Sequence, residues 1–218
     1  MCVLMPLLPR KLSISMIIVP PKVGNGKGMS TNSLDFVDFK LPISKSLGML
    51  PHWDQCGKMQ FVTCRLCDSL PPSRLESLEE EKRKIQSGEY LIRLDNEAGE
   101  IEKIDYYLSQ GHGQCLLKYE PVQRIVDEAL NYYDGKRYDL FDYVIMPNHV
   151  HFLVTPYEDI KKIWADFRRF TTARINKLFD RSGRLWQEEC FDRMVRNGSD
   201  FQRIKEYIRT NPAGSQRQ

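Results

Sequence analysis

Two histidines are the residues of this sequence whose type and spacing most directly indicate chemistry. His149 and His151 are one residue apart at the start of an apolar, β-prone run. Because the side chains of a strand alternate between its two faces, both imidazoles emerge on the same side. Two neutral imidazoles in that arrangement can chelate one metal ion. The alternative is a pair of polar side chains on the open face of an antiparallel strand.

The second half of the candidate site lies near the end of the chain. Tyr207 and Asn211 are four residues apart in a predicted helix and therefore share one helix face. Asn211 offers a neutral oxygen to a metal, and Tyr207 offers a phenol that can attack a phosphodiester. A phenol is a poor nucleophile at neutral pH because its pKa is about 10, and a metal that draws charge from the phosphate offsets this. The alternative is a half-buried tyrosine that anchors a terminal helix, with Asn211 as the helix C-cap before Pro212.

The elements that must position these residues are predicted from the spacing of apolar side chains. The predicted order is a strand over 61–66, a helix over 121–134, strands over 138–146 and 149–155, a helix over 160–179, strand material over 191–195 and a final helix over 199–210. This order predicts an α+β fold, namely a ferredoxin-like antiparallel sheet with helices on one face. A helical insertion at about residues 73–118 and a C-terminal helix that carries the tyrosine complete the prediction.

The first part of the chain differs in character from the rest. Residues 1–48 are predicted to be a disordered or non-native N-terminal extension, and residues 49–218 to form the domain. The apolar runs of the extension are shorter than the roughly 18 residues that a membrane helix needs, so no membrane association is expected. The six cysteines are scattered, and Cys64 and Cys67, three apart in a predicted strand, face opposite ways. Reduced thiols and a cytoplasmic location are therefore expected.

Positive charge is concentrated in the second half of the chain, although the net charge is only +3. Residues 161–196 contain ten Lys or Arg and five Asp or Glu, which indicates a polyanionic partner; a solvated surface of mixed charge is the alternative. Arginines off the apolar stripe can contact phosphates, and a tryptophan can stack on an unpaired base or pack in the core. The candidates for DNA contact are Arg168, Arg169, Arg174, Arg193 and Trp186, with Trp53 as a second candidate for stacking.

Several short motifs, none specific alone, together resemble one family. In chain order they are Phe61-Val62-Thr63-Cys64-Arg65-Leu66, Asp68-Ser69-Leu70-Pro71, Gly111-His112-Gly113-Gln114-Cys115, Met146-Pro147-Asn148-His149-Val150-His151, Trp186-Gln187, Phe191-Asp192-Arg193 and Tyr207-Ile208-Arg209-Thr210-Asn211-Pro212. On these residues the chain resembles the HUH single-strand endonucleases, and most closely the REP-associated tyrosine transposases of bacteria. Two flanking segments, Gly57-Lys58-Met59-Gln60 and Ser109-Gln110, depart from the pattern usual in that family.

The resemblance implies a function and assigns roles to the residues singled out above. It implies metal-dependent cleavage and rejoining of single-stranded or hairpin DNA through a 5′-phosphotyrosine intermediate, by a monomer or a homodimer. Tyr207 would be the nucleophile, and His149, His151 and Asn211 would bind Mg²⁺ or Mn²⁺. Two other functions remain open at this point. One is a domesticated relative that binds hairpin DNA without cutting it, and the other is a ferredoxin-like RNA-binding fold, which predicts exposed aromatic residues on the central strands.

Overall fold

The computed structural model describes residues 36–47, 51–55, 57–87 and 104–215. In chain order its elements are β1 Ser44–Leu47, β2 Pro51–Asp54, β3 Gln60–Arg65, α1 Pro72–Gln86, a 3-10 turn Leu116–Lys118, α2 Glu120–Tyr133, β4 Tyr138–Ile145, β5 His149–Pro156, α3 Ile160–Leu178, β6 Phe191–Met194 and α4 Gly198–Ser215. Residues 104–109 form a further helical stretch, which we call the insertion helix.

Four strands form an antiparallel sheet in the spatial order β4-β5-β3-β6. The helix α2 connects β3 to β4, and α3 connects β5 to β6. This strand order, with two helical crossovers and a β4–β5 hairpin, is that of the ferredoxin-like fold. The predicted α+β class is therefore confirmed, and the predicted sheet strands agree with the observed ones to within one residue or two at each end.

The two faces of the sheet are covered by different helices, because alternate residues of each strand point in opposite directions. Val62 and Phe152 pack in one core cluster with apolar side chains of α2 and α3, on what we call the far face. Phe61 and Leu153 pack in a second cluster with apolar side chains of α4, on what we call the site face. The C-terminal helix is thus held against the face of the sheet opposite to the two crossover helices.

The insertion between β3 and α2 has a small apolar core of its own. Its members are Leu70, Leu78, Ile104, Leu108 and Phe191. The loop after the insertion helix presses against the turn after β3: Gly113 has a φ of +85°, and a Cβ there would lie 2.5 Å from the backbone oxygen of Asp68. Only glycine accommodates both the backbone conformation and this approach. Gln114 N–H also donates to Asp68 Oδ2 at 2.9 Å, so the insertion is fixed to the end of β3.

The packed structure begins upstream of the boundary expected from the sequence. The ring of Phe36 lies 6.5 Å from that of Phe201 on α4, and Val37 packs with Trp53 and Met194. Residues 36–47, which the sequence places in the N-terminal extension, therefore contact the domain. Their apolar side chains pack against α4 and β6. These elements are distant in sequence, so local sequence patterns do not predict the contacts. Residues 1–35 lie outside the described residues.

One pair of cysteines corrects the expectation of reduced thiols. Cys64 on β3 forms a disulfide with Cys190, which immediately precedes β6. The two cysteines are 126 residues apart, and they meet because β3 and β6 are neighbours in the sheet. Cys67 and Cys115 are free. In the described part of the chain, no helix combines the length and the apolar character required to cross a membrane.

The last helix is longer than predicted. It begins at Gly198 and continues past Pro212 to Ser215, whereas the sequence predicted an end near residue 210. A proline removes only its own N–H, and at this position near the end of a helix the loss does not stop the helix. Asn211 is therefore a helical residue one turn after Tyr207, and the alternative assignment of Asn211 as a C-cap is corrected.

Candidate active site

The two histidines of β5 lie side by side on the site face. Their ring centroids are 4.5 Å apart. Both side chains are buried, and burial lowers the pKa of His149 to about 3. Burial also lowers the pKa of His151 well below its ordinary value, and the neighbouring His149 adds to that shift. Both imidazoles are therefore neutral at neutral pH, which is the form that binds metal ions.

Asn148 fixes the proton of His149. The Asn148 amide nitrogen donates to the backbone oxygens of Leu108 and His112, at 3.0 and 3.3 Å. Its carbonyl oxygen must then be the atom that lies 2.7 Å from His149 Nδ1. A carbonyl oxygen only accepts hydrogen bonds, so Nδ1 carries the proton and the lone pair of Nε2 is free. Asn148 thus connects the end of the insertion helix to the histidine pair.

Replacing Asn148 with Leu should weaken binding of Mn²⁺ by roughly 10–100-fold, the usual cost of losing a group that orients a metal ligand. Without the acceptor at Nδ1, the imidazole of His149 is free to rotate and to change tautomer. Electron paramagnetic resonance of free Mn²⁺ during a titration measures the affinity. Asn148→Asp keeps an acceptor oxygen and should bind Mn²⁺ more tightly than Asn148→Leu; equal loss in both variants would contradict the orienting role.

Tyr207 packs against one of the two histidines, His151. Its ring centroid is 5.4 Å from that of His151 and 6.1 Å from that of Phe61, and both contacts are edge-on. Phe61 in turn stacks on His151 at 5.3 Å. The structure therefore brings the predicted nucleophile and the predicted metal ligands together, although they come from a terminal helix and from a central strand.

A carboxylate from the insertion helix completes this arrangement. The Tyr207 hydroxyl donates to Asp105 Oδ2 at 2.7 Å. The other oxygen of the same carboxylate, Oδ1, lies 3.7 Å from His151 Nε2. Asp105 is thus placed between the phenol and the imidazole, within reach of both. Nothing in the local sequence indicated this role, since the two hydrogen-bonded residues are 102 positions apart.

The surroundings hold the phenol in its protonated form. Burial is the largest cause that raises the pKa of Tyr207, and the charge of Asp105 and the hydrogen bond to it raise the pKa further. Asn211 faces the phenol oxygen and lowers the pKa. The Asn211 amide nitrogen is buried. The phenol therefore needs both a proton acceptor and a source of positive charge before it can react as a nucleophile.

The donor set fits a divalent cation. His151 Nε2 is buried and has no hydrogen-bond partner, while Nδ1 of the same ring lies 2.8 Å from the Thr63 hydroxyl, which can accept its proton. A buried imidazole nitrogen without a partner is what a metal ion would engage. Among the described residues, no group of three or more His, Cys, Asp or Glu side chains is arranged to hold a metal. The predicted set differs from such groups because its third member, Asn211, is an amide.

The predicted DNA-contacting residues are not brought to this site. Arg168, Arg169 and Arg174 lie on α3, which covers the far face. Arg169 pairs with an aspartate of its own helix and Arg174 with a glutamate of α2. Trp186 is 2% exposed, and its indole N–H donates to a threonine hydroxyl of α3 at 2.8 Å. Trp186 is therefore a core residue, as its alternative assignment held, and cannot stack on a base in this conformation. Trp53 is buried as well.

Arg193 also has a different environment from the one expected. It lies on β6, where its two terminal nitrogens donate to the two carboxylate oxygens of Asp200 at 2.8 and 3.1 Å. Both side chains are buried. Burial opposes ionisation of Asp200, but the contacts with Arg193 and with Arg196 N–H outweigh it, so that the pKa of Asp200 lies below its ordinary value. Asp200 is in the first turn of α4, so this ion pair fixes the tyrosine-bearing helix to the sheet.

Replacing Arg193 with Ala should lower the free energy of unfolding by about 3 kcal/mol, because it removes the buried cation from the buried Asp200 carboxylate. Arg203, which is 59% exposed, remains as a weaker partner at 3.0 Å. Urea unfolding followed by tryptophan fluorescence measures this change. Arg174→Ala removes an exposed ion pair and should cost less than about 1 kcal/mol. An Arg193 variant as stable as the Arg174 variant would show that the buried pair does not hold the helix.

One family of known proteins matches part of this chain. Residues 114–211 match the family described as Transposase IS200 like. This match confirms the predicted resemblance, and it spans both histidines, Tyr207 and Asn211. A solved structure described as "Structure of the REP associates tyrosine transposase bound to a REP hairpin" is 15% identical, over 73% of this chain and 68% of that chain, with a TM-score of 0.41. No curated protein gives a significant match.

Proposed function

We propose that this chain, whose residues 114–211 match the family described as Transposase IS200 like, cleaves and rejoins single-stranded DNA at hairpins through Tyr207. The observation that supports this proposal most directly is the position of the Tyr207 phenol. The phenol packs against His151 and donates to Asp105 at 2.7 Å. A nucleophile, a proton acceptor and a pair of neutral imidazoles then lie close together where α4 packs on the sheet.

The reaction is a transesterification in which the number of phosphodiester bonds is conserved. The Tyr207 oxygen attacks the phosphorus, and its proton passes to Asp105 Oδ2. The bond between phosphorus and the 3′ oxygen breaks, which leaves a 5′-phosphotyrosine on the protein and a free 3′ hydroxyl on the DNA after protonation of the leaving oxygen. Attack of a 3′ hydroxyl on the phosphotyrosine reverses these steps and rejoins a strand. No external energy source is needed, because the tyrosyl ester stores the energy of the broken bond.

His149 and His151 would hold the divalent cation, with Asn211 as an oxygen ligand. When bound, Mg²⁺ or Mn²⁺ supplies Lewis acidity that draws negative charge from the phosphate. Two imidazole ligands favour Mn²⁺ over Mg²⁺, since Mg²⁺ prefers oxygen ligands. Asn148 contacts Nδ1 of His149, and Thr63 contacts Nδ1 of His151. These contacts orient the two rings so that each Nε2 can face the cation.

A labelled hairpin oligonucleotide with single-stranded flanks tests the proposal. Incubation with Mn²⁺ should produce a covalent protein–DNA adduct that survives denaturation, and peptide mass spectrometry should place the nucleotide on Tyr207. Palindromic repeats that flank the gene would provide the hairpin sequence. A mobility shift without any adduct, in the presence of Mn²⁺ or Mg²⁺, would instead identify a protein that binds hairpins and does not cut them.

A further inference from the structure

Arg65, the last residue of β3, is a buried charge that the chemistry above does not use. Its side chain is 3% exposed, and its Nε and Nη1 atoms are buried without a hydrogen-bond partner. Burial lowers the pKa of the guanidinium to about 10, and the nearby Cys67 opposes that shift. Arg65 therefore stays positively charged at neutral pH although its surroundings disfavour the charge.

Other buried arginines of the described chain have a carboxylate partner. Arg193 pairs with Asp200, and Arg74 pairs with Glu81 at 2.9 Å. In the described ranges, no carboxylate lies within ion-pair distance of Arg65. Burying a charge without a counter-ion is strongly unfavourable, and each such group in a folded protein requires an explanation. The unpaired charge of Arg65 therefore favours binding of an anionic ligand.

Arg65 lies across the sheet from one of the two histidines. Arg65 is directly opposite His149 in the register of β3 and β5. Residues two and four positions earlier on β3 are Thr63, which contacts His151, and Phe61, which packs under Tyr207. Since alternate residues of a strand share a face, Arg65 points to the site face as well. Arg65 thus extends from the same face of the sheet as the two imidazoles and the nucleophile.

We propose that Arg65 binds a phosphate of the DNA strand that lies over His149 and His151. A guanidinium donates two parallel hydrogen bonds to a phosphate, which a lysine cannot reproduce. The contact would fix the register of the backbone relative to Tyr207 without reading the base sequence. This inference rests on the proposed function, because it names the contact through which the same site holds its substrate.

The first test separates stability from binding in a single variant, Arg65→Met. If the charge is unpaired in the free protein, an apolar side chain of similar length should raise the urea midpoint of unfolding. The same variant should bind a fluorescent oligothymidylate roughly 10-fold more weakly, and the slope of log affinity against log salt should become shallower by about 0.7, the value for one phosphate contact on a single strand. Arg124→Met, on the far face, removes an equal charge and should leave both the affinity and the slope nearly unchanged.

The second test identifies the phosphate. A series of oligothymidylates is prepared, each with one neutral methylphosphonate linkage at a different position around the cleavage point. The affinity of each is measured for the wild type and for Arg65→Met. One linkage should weaken binding by the wild type and have no further effect on the variant, because the same contact is already lost. Four results would each overturn the proposal. They are additive effects of Arg65→Met and of the methylphosphonate at every linkage, an unchanged salt slope, a lower unfolding midpoint for Arg65→Met, and a wild type that does not bind oligothymidylate.

These results are distinguishable from failure of the proposed function. The binding measurements use protein without added divalent cation, so they do not depend on cleavage. The tyrosyl adduct could form normally while Arg65→Met and the methylphosphonate have additive effects at every linkage. That outcome would contradict the role of Arg65 and leave the proposed function intact. Coupling at one linkage in a protein that never forms an adduct would leave Arg65 as a phosphate contact in a hairpin-binding protein.

Discussion

Tyr207→Phe should abolish strand cleavage and formation of the covalent adduct, with a loss of about four orders of magnitude or more in rate, as expected when the nucleophile of a covalent mechanism is removed. The phenylalanine ring keeps the edge-on contacts with His151 and Phe61, so the fold and hairpin binding should be retained. The rate is measured on a labelled hairpin under single-turnover conditions, and binding is measured by fluorescence anisotropy.

Tyr132→Phe is a matched control. Tyr132 is a largely exposed residue of α2, on the far face, and its hydroxyl should contribute nothing to the reaction. Cleavage that persists in Tyr207→Phe at more than about one hundredth of the wild-type rate would assign the nucleophile to another group or to water. In that case the wild-type adduct should lie on that other group, or be absent if water attacks.

Asp105→Asn should slow cleavage by roughly 10²–10⁴-fold, the range for loss of a general base, while hairpin binding is preserved. The substitution also removes a negative charge that raises the pKa of Tyr207, and that change alone would favour the phenolate. Burial is the larger cause of the raised pKa and persists in the variant, so the loss of the proton acceptor should dominate. The rate of the variant should rise more steeply with pH than that of the wild type, because hydroxide replaces the carboxylate as the acceptor.

The chain provides a second tyrosine–aspartate hydrogen bond as a control. The Tyr143 hydroxyl donates to Asp127, where a residue of β4 meets α2, and the Tyr143 ring packs on the far face, opposite to the histidine pair. Asp127→Asn should leave the cleavage rate unchanged. A faster Asp105→Asn enzyme would show that the carboxylate restrains the phenol rather than accepting its proton.

The half of the site that the sequence predicted is the half controlled by local periodicity. His149 and His151 share a face because the side chains of a strand alternate, and Tyr207 and Asn211 share a face because residues four apart in a helix are about one turn apart. Both relations hold within one element, so they survive any arrangement of the elements. The juxtaposition of the two elements came from the family resemblance, and the contacts of the Tyr207 ring with His151 are consistent with it.

The residues that the sequence could not predict depend on contacts between distant elements. Arg193 could face solvent or the core with equal ease from its local pattern, and only the approach of Asp200 on α4 decides that it is buried. Cys190 reaches Cys64 because β6 lies beside β3. The sequence predicts Asn148 only as part of a turn before His149. Its role in orienting His149 depends on two backbone carbonyls of the insertion, which bind its amide.

The attachment of the insertion to the sheet has a consequence for minimal versions of this domain. A shortened protein that joins β3 directly to α2 would retain the histidines, Tyr207 and Asn211, all of which fall within the residues that match the transposase family. It would lose Asp105 and both carbonyls that orient Asn148. Under the proposed function, such a protein should still bind hairpin DNA but cleave it slowly, and its less ordered metal ligands should discriminate less between Mg²⁺ and Mn²⁺.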